Sequence, residues 1–208
     1  MRRRPRSRRD HYSRKARSQS FPARSVFKLE EIDRKHSIIR PGDAVLDLGC
    51  APGSWLLYAS KRVGPKGLVL GVDLHRLGTD LPENARFLKA DVADLSGEEI
   101  SSKGADRFDV VLSDMAPHTT GNRFVDQQRS LRLILGALDL AEAFGRPGAA
   151  LVGKVFHGED VGDAVARAEA LFEWVRLVKP KAVRKGSYEI YVVARGQRGA
   201  TPAEHHEP

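Results

Sequence analysis

The segment ALVGKVF at positions 150–156 has the apolar, β-branched composition of a buried strand, apart from one lysine, Lys154. A lysine in a strand that is covered on both faces has to leave water, which is costly unless the amine finds a partner or loses its proton. Lys154 could lie at a strand edge, where its side chain reaches solvent. It could also be a functional amine at the carboxyl end of a parallel strand.

Acidic residues and glycines occur where other strand-like segments end. Asp73, Asp91 and Asp114 each stand at the end of such a segment, and Asp47 lies just ahead of a glycine-containing loop. Ligands of open parallel sheets bind at the carboxyl ends of the strands, so these side chains are expected at one edge. The loop has the spacing Asp-x-Gly-x-x-x-Gly over 47–53, which differs from the G-x-G-x-x-G of dinucleotide sites.

The ligand that suits these carboxylates is cationic rather than a pyrophosphate. Asp47 would attract an amine, while Asp73, 26 residues further on, is placed to accept the hydroxyls of a ribose. Asp91 could accept a hydrogen bond from an adenine amino group. Each aspartate alone could instead be a turn or cap residue. Together with Gly49 and Gly53, which let the backbone approach a ligand, they favour S-adenosylmethionine.

Four charged residues are expected to meet at the same edge of the sheet. Asp114 and Lys154 end neighbouring strands. Glu189 begins the last strand, and Lys28 lies on a helix near the N-terminus. Such a set could remove the proton from a ribose 2′-hydroxyl as it attacks a methyl group. Burial and a second cation would favour the neutral Lys154 amine, whereas the two carboxylates would hold the amine in place and partly oppose this effect.

Strand-like and helix-like segments alternate around these residues. Hydrophobic periodicity predicts helices over 23–36, 54–63, 96–103, 125–144 and 159–172, and strands over 44–49, 68–74, 85–92, 108–114, 149–156, 174–180 and 188–195. This alternation predicts an α/β domain in which a mostly parallel seven-stranded sheet has helices on both faces. The connection between the last two strands is too short for a crossover helix, so the final strand is expected to be antiparallel.

Composition divides the chain into one domain with two flanking segments. Residues 1–22 are predicted to be a basic, flexible RNA-binding arm, residues 23–197 the folded domain, and residues 198–208 a disordered tail. Residues 1–24 hold ten Lys or Arg and one acid, whereas residues 25–175 hold 18 Lys or Arg and 23 acids. Basic ends on a mildly acidic domain favour a polyanion as partner, although a solubilising segment is the simpler alternative.

Composition also excludes several kinds of site and protein. Cys50 is the only cysteine, which rules out an intramolecular disulfide and a cysteine-rich metal site and suits a reducing cytosol. The seven histidines lack the spacing of a metal motif, so no metal is expected. No apolar run approaches the roughly 20 residues that a membrane-spanning helix needs. The sequence predicts a cytoplasmic protein that does not contact membranes.

Five segments in order resemble the FtsJ/RrmJ (RlmE) family of ribosomal RNA 2′-O-ribose methyltransferases: RSVFKLEEID, DLGCAPGSW, SDMAP, KVFHG and SYEIYVV. The resemblance covers about residues 7–196 and implies a Rossmann-like fold that uses S-adenosylmethionine. It places the catalytic tetrad of the family on Lys28, Asp114, Lys154 and Glu189. It places the contacts to S-adenosylmethionine on Gly53, Trp55, Asp73, Asp91 and Asp114.

The resemblance further implies a substrate and a mechanism. Methylation of a uridine in the A-loop of 23S ribosomal RNA, within the assembled large subunit, is expected, with Lys154 as the base and a monomeric enzyme. Ser54, His118 and His157 stand where family members often have glycine, asparagine and glutamine. None of the three belongs to the tetrad, so these departures leave the expected catalysis intact.

Three other functions are compatible with parts of the sequence. Relatives with this tetrad modify transfer RNA, so a 2′-O-methyltransferase of tRNA is one alternative. A non-catalytic RNA-binding factor in ribosome assembly is a second, but it would have no need for Lys154 in an apolar strand or for Asp114 beside it. A nucleotide-dependent oxidoreductase is disfavoured by the missing G-x-G-x-x-G and by the basic ends. If the partner is RNA, four basic residues are predicted to assist its binding: Arg24, Lys181, Arg184 and Lys185.

Overall fold

The computed structural model describes residues 8–184 and 186–199. The helices are α1 (Arg8–Ser18), α2 (Val26–His36), α3 (Ser54–Val63), α4 (Gly97–Ser101), α5 (Arg123–Phe144) and α6 (Val161–Leu171). The strands are β1 (Ala44–Leu48), β2 (Leu68–Asp73), β3 (Ala85–Lys89), β4 (Phe108–Ser113), β5 (Gly145–Phe156), β6 (Phe172–Val178) and β7 (Glu189–Gln197). None of the helices in this part of the chain is long and apolar enough to cross a membrane.

The strands form one seven-stranded sheet in the order β3-β2-β1-β4-β5-β7-β6. The pairs among β1 to β5 are parallel, and β7 is antiparallel to both of its neighbours, β5 and β6. This confirms the predicted mostly parallel sheet with a final antiparallel strand. Because β7 runs antiparallel to β5, its first residues are at the same edge as the carboxyl ends of the parallel strands.

Helices cover both faces of the sheet, as expected for parallel strands with apolar side chains on both sides. One core layer packs α2 and α3 against the sheet, and the other packs α4, α5 and α6. Side chains in β5 alternate between the two layers: Val152 packs on the α2–α3 side, and Leu151 and Val155 pack on the α5–α6 side. The same alternation directs Lys154 towards α2 and α3.

Helix α1 differs from the prediction of a structureless N-terminal arm. Residues Arg8–Ser18 form a helix that lies against α2, because a few of its side chains find partners there. Ala16 is buried, and the ring centroids of Tyr12 and Phe27 are 5.5 Å apart. These contacts are too sparse to produce a recognisable apolar period in so basic a segment. Residues 1–7 of the predicted arm and 200–208 of the predicted tail lie outside the described residues.

Some strands and helices begin or end away from the predicted residues, because polar side chains accept hydrogen bonds from backbone amides near these ends. Strand β3 ends at Lys89 and not at residue 92, since Asp91 caps a short 3₁₀ helix and accepts a hydrogen bond from the Ala93 amide at 3.0 Å. Asp91 therefore follows the strand and is not its last residue. Helix α5 begins two residues early because the Asn122 side chain accepts hydrogen bonds from the first amides.

A buried carboxylate fixes α2 against α3. One oxygen of Asp33 accepts hydrogen bonds from the amides of Ile38 and Ile39, at 3.0 and 2.9 Å. The other accepts from the Tyr58 hydroxyl and from Arg62 Nε, both at 2.8 Å. These bonds satisfy backbone donors at the end of α2 and join the helix to α3. Lys28 lies on the same helix, so Asp33 indirectly sets the position of Lys28.

Replacing Asp33 by alanine is expected to lower the free energy of unfolding by roughly 2–4 kcal/mol, because two buried amides and the Tyr58 hydroxyl lose their acceptor. Denaturant unfolding followed by circular dichroism measures this change. The matched control is Asp139→Ala, since the Asp139 side chain is 66% exposed and pairs with Arg167 at the surface. The control should change the free energy by less than about 0.5 kcal/mol. Equal effects of the two substitutions would contradict the role assigned to Asp33.

Candidate active site

The topology brings the four predicted catalytic residues to one place. Asp114 directly follows β4, and the pairing of Ser113 with Gly153 sets it beside Lys154. Phe156 pairs with Glu189 across β5 and β7, which puts Glu189 two residues from Lys154 along the strand. These side chains face the helices α2 and α3. Lys28, on α2, reaches the same group of side chains from the helix layer that covers this face of the sheet.

Lys154 is buried and has a carboxylate partner. Its side chain is 5% exposed, and its Nζ lies 3.1 Å from Asp114 Oδ1. The amine also donates a hydrogen bond to the Asp114 carbonyl oxygen. The alternative that Lys154 reaches solvent at a strand edge is therefore wrong. A buried amine with a fixed carboxylate beside it is an arrangement that can hold or take up a proton at a defined position.

Tyr191 is a member of this cluster that the sequence analysis missed. Its hydroxyl donates a hydrogen bond to Asp114 Oδ1 at 2.9 Å, and its side chain is fully buried. Burial, and then the charges of Asp114 and Glu189, raise the pKa of Tyr191 well above its usual value, so the hydroxyl stays protonated. Tyr191 is two residues after Glu189 and thus on the same face of β7, a signal that period-two alternation could have provided.

Lys28 and Glu189 form a second ion pair next to the first. Lys28 Nζ lies 3.2 Å from Glu189 Oε1, and the two side chains are 11% and 21% exposed. The same amine lies 5.8 Å from the centre of the Tyr191 ring. Tyr191 therefore contacts both pairs, through its hydroxyl and through its ring. The structure brings the predicted tetrad together as two ion pairs around one buried tyrosine.

The glycine-containing loop after β1 needs its glycines for two reasons. Gly49 and Gly53 have positive φ angles, +70° and +110°, which disfavour residues with a side chain. A Cβ on Gly49 would also collide with Met115, and one on Gly53 would lie 3.0 Å from Thr79 Cγ2. Gly53 caps the first turn of α3. At these two positions between β1 and α3 no side chain covers the loop backbone, as the motif predicted.

Three of the predicted cofactor contacts also have structural partners. Asp73 accepts hydrogen bonds from the amides of Ala51 and His75, at 2.9 and 2.8 Å, and so holds the loop in shape. A carboxylate has about four acceptor positions, so Asp73 can still accept further hydrogen bonds. Asp91 is exposed. Trp55 is buried below the site, and its indole N–H donates to the Ser25 carbonyl oxygen at 3.0 Å.

Asp47 is a buried carboxyl group to which none of the described residues donates a hydrogen bond. It is the penultimate residue of β1, close to the glycine-containing loop. Burial raises the pKa of Asp47 well above its usual value, and the charges of Asp114 and Asp73 raise it further. Carboxylates without a partner are costly in a protein interior. This position therefore favours either a protonated carboxyl or a positively charged group bound close by.

A cleft of about 550 Å³ opens onto the Lys28–Glu189 pair. Its walls come from the segment before α2, the end of β5 and the connection between β6 and β7, and include Arg24, Phe156, Arg184 and Tyr188. The Arg24 guanidinium donates a hydrogen bond to the Ala182 carbonyl oxygen at 2.7 Å, which ties two walls together. Two of the four tetrad residues, Lys28 and Glu189, thus line a cleft of the size that holds a small organic group.

The remaining candidate residues show no arrangement for chemistry. His118 and His157 are exposed, and their carbonyl oxygens accept hydrogen bonds from Arg129 and Gln127 of α5. Burial raises the pKa of the Cys50 thiol, which makes it a poor nucleophile. Within residues 8–184 and 186–199, no group of three or more histidine, cysteine or acidic side chains is arranged to hold a metal ion.

Comparison with known proteins gives consistent results. The family model described as FtsJ-like methyltransferase matches residues 21–197. A relative from Desulfosudis oleivorans, named Ribosomal RNA large subunit methyltransferase E, is 46% identical over 192 residues, which are 92% of each chain. A relative of the same name from Bdellovibrio bacteriovorus is 48% identical over 192 residues, 91% of this chain and 97% of that protein.

A solved structure agrees with these relatives. The crystal structure described as a ribosomal RNA methyltransferase from Plasmodium falciparum has a TM-score of 0.77 at 25% identity and covers 86% of this chain and 100% of its own. The family model spans most of the domain that contains the tetrad and confirms the resemblance seen in the sequence. The chain belongs to the FtsJ-like methyltransferase family.

Proposed function

We propose that this protein transfers a methyl group from S-adenosylmethionine to the ribose 2′-hydroxyl of a uridine in the A-loop of 23S ribosomal RNA, within the assembled large subunit. The observation that carries the proposal is the buried Lys154 amine, which is paired with Asp114 next to the Lys28–Glu189 pair that lines a cleft. The names of the relatives, which refer to large-subunit ribosomal RNA, support the choice of substrate. Such a substrate would be met in the cytoplasm.

The residues at the ends of β1 and β2 fit S-adenosylmethionine. The loop with Gly49 and Gly53 leaves room for close approach of a ligand, and Asp73 retains capacity to accept hydroxyl hydrogens. The unpartnered carboxyl of Asp47 suits a ligand that carries positive charge. Gly53, Trp55, Asp73, Asp91 and Asp114 are the residues proposed to hold it. S-adenosylmethionine supplies a methyl group that is made electrophilic by a positively charged sulfur.

The role of Lys154 is to take the proton of the ribose hydroxyl. The ion-paired amine first releases a proton to solvent. The neutral amine then accepts the ribose proton at Nζ as the hydroxyl oxygen becomes a nucleophile. Asp114 fixes the amine and stabilises the ammonium that forms, and Tyr191 fixes Asp114 by its hydrogen bond. Lys28 is held close by through its ion pair with Glu189. The other contribution of the site is to position the reacting groups.

RNA binding is assigned to basic residues around the cleft. Arg24 and Arg184 line the cleft, and Lys181 lies on the same connection between β6 and β7. The Lys181 amide donates a hydrogen bond to Glu31 Oε2 at 2.8 Å, which holds this connection against α2. Lys185 lies outside the described residues. Contacts of this kind are to phosphates, so binding should weaken steeply with salt.

Replacing Lys154 by alanine is expected to reduce methyl transfer by about 10²–10⁴-fold, the usual contribution of a general base. The measurement uses labelled S-adenosylmethionine and large ribosomal subunits that lack the modification, followed by digestion to locate the labelled nucleotide. Lys66→Ala is the matched control, because Lys66 is exposed in the turn before β2, at the opposite edge of the sheet. The control should retain full activity.

Two results would contradict the proposed mechanism or the proposed substrate. Transfer at the wild-type rate by Lys154→Ala would show that the lysine is structural and that the mechanism is wrong. If the wild-type protein binds S-adenosylmethionine but labels tRNA instead of large subunits, the reaction class stands and the proposed substrate is wrong.

Replacing Asp47 by asparagine is expected to stabilise the protein without ligand at neutral pH. The pKa of Asp47 is raised in the folded state. As the pH rises above about 4, the unfolded chain loses the proton of this carboxyl while the folded protein still holds it. The free energy of unfolding therefore falls as the pH rises. The asparagine side chain is uncharged at every pH, as the protonated carboxyl group is. The melting temperature of Asp47→Asn should exceed that of wild type at pH 8 by at least about 2 °C and match it near pH 4.

The control for this experiment is Asp106→Asn, an exposed aspartate in the turn before β4, which should melt like wild type at both pH values. A melting temperature of Asp47→Asn below that of wild type at pH 8 would contradict the raised pKa. Asp47→Asn should also bind S-adenosylmethionine more weakly, because a negative charge next to the cation is lost. Calorimetric titration measures this difference.

A further inference from the structure

The cleft beside the Lys28–Glu189 pair has an aromatic wall. The Tyr188 ring lies against the Phe156 ring, with centroids 4.8 Å apart and planes at 78°. Phe156 is almost fully buried, whereas Tyr188 is only partly buried and lines the cleft. The Tyr188 backbone is fixed, because its carbonyl oxygen accepts a hydrogen bond from the His157 amide at 2.7 Å. Phe156 thus supports Tyr188 from the core side, and Tyr188 presents ring surface to the cleft.

Cationic side chains surround this aromatic wall. The Arg123 guanidinium, at the start of α5, lies 5.7 Å from the centre of the Tyr188 ring. Arg24 and Arg184 line the same cleft, and Glu189 in this cleft is already paired with Lys28. A ligand for this place should therefore carry negative charge and also a flat, apolar face. Nucleotides have both, through a phosphate and a base.

We propose that the cleft holds one unpaired nucleotide of the RNA substrate, with its base against the Tyr188 ring and its phosphate near Arg24 and Arg184. The inference rests on the proposed function and names a nucleotide subsite beside the Lys28–Glu189 pair. A volume of about 550 Å³ is within the range of roughly 300–1,000 Å³ for clefts that hold small organic groups, so it suits one nucleotide. Paired bases are stacked inside a helix, so the nucleotide has to be unstacked.

The distance between Arg123 and Tyr188 is longer than that of a direct stack. A direct stack of a guanidinium on a ring has a separation of about 3.5–4 Å, and a base between the two groups would need roughly 7 Å. The observed 5.7 Å lies between these values. Because Arg123 is exposed at the first residue of α5, a small outward movement of its side chain would admit a base between guanidinium and phenol ring.

The test compares binding of two probes by fluorescence anisotropy at fixed low salt. One probe is a labelled hexauridylate, and the other is a ribose-phosphate hexamer of the same length without bases. Wild-type protein should bind hexauridylate about 10-fold or more tightly than the abasic hexamer, as expected for loss of base stacking on an aromatic side chain. Tyr188→Leu should reduce this affinity ratio to close to one, because leucine has no ring on which a base can stack. Tyr188→Phe keeps the ring and should retain the wild-type ratio.

The control is Trp174→Leu, which removes a partly buried aromatic side chain that also contacts an arginine, Arg195 at 4.8 Å, and belongs to a separate cavity. It should keep the wild-type ratio. Equal binding of both probes by wild type, or an unchanged ratio in Tyr188→Leu, would overturn the inference. These outcomes do not depend on catalysis, so they are distinguishable from a failure of the methyl-transfer assay. A lower salt dependence in Tyr188→Leu is not expected, since phosphate contacts are retained.

Discussion

The burial of one amine is the constraint on which the site depends. Lys154 lies in a central strand with its side chain 5% exposed, so its charge is acceptable only with a fixed partner. Asp114 provides this partner from the end of β4, and Tyr191 fixes the carboxylate by donating to the same oxygen. Removing Asp114 would leave the buried Lys154 amine and the buried Tyr191 hydroxyl without this partner. The proposed base is thus part of the core as well as of the site.

The position of β7 follows from the same constraint. Tyr191 pairs with Lys154 across β5 and β7, and this is possible because β7 is inserted antiparallel beside β5. An additional parallel strand at this place would have its first residues at the opposite edge, far from Asp114. The insertion also brings Glu189 to the mouth of the site, where it holds Lys28 of α2. One change in strand direction therefore supplies two of the groups around the amine.

The sequence was sufficient to predict the sheet, its antiparallel strand and the charged residues that meet at its edge. Periodicity and strand ends carry that information locally. It could not show that Tyr191 donates to Asp114, because this depends on which strands are neighbours. The absence of a donor near Asp47 is likewise a property of packing. Helix α1 was missed because its stability comes from contacts with α2, through Ala16 and Tyr12, and not from its own pattern.

Chemical rescue of Lys154→Ala tests most directly whether the amine acts as the base. The substitution leaves space beside Asp114 into which a small amine from solution can diffuse. If the account is correct, single-turnover methyl transfer by the variant will rise in proportion to the concentration of neutral methylamine. Tetramethylammonium, which carries the charge but cannot accept a proton, will not restore transfer. Equal restoration by both compounds would contradict the account, because it would show that only a positive charge is needed beside Asp114.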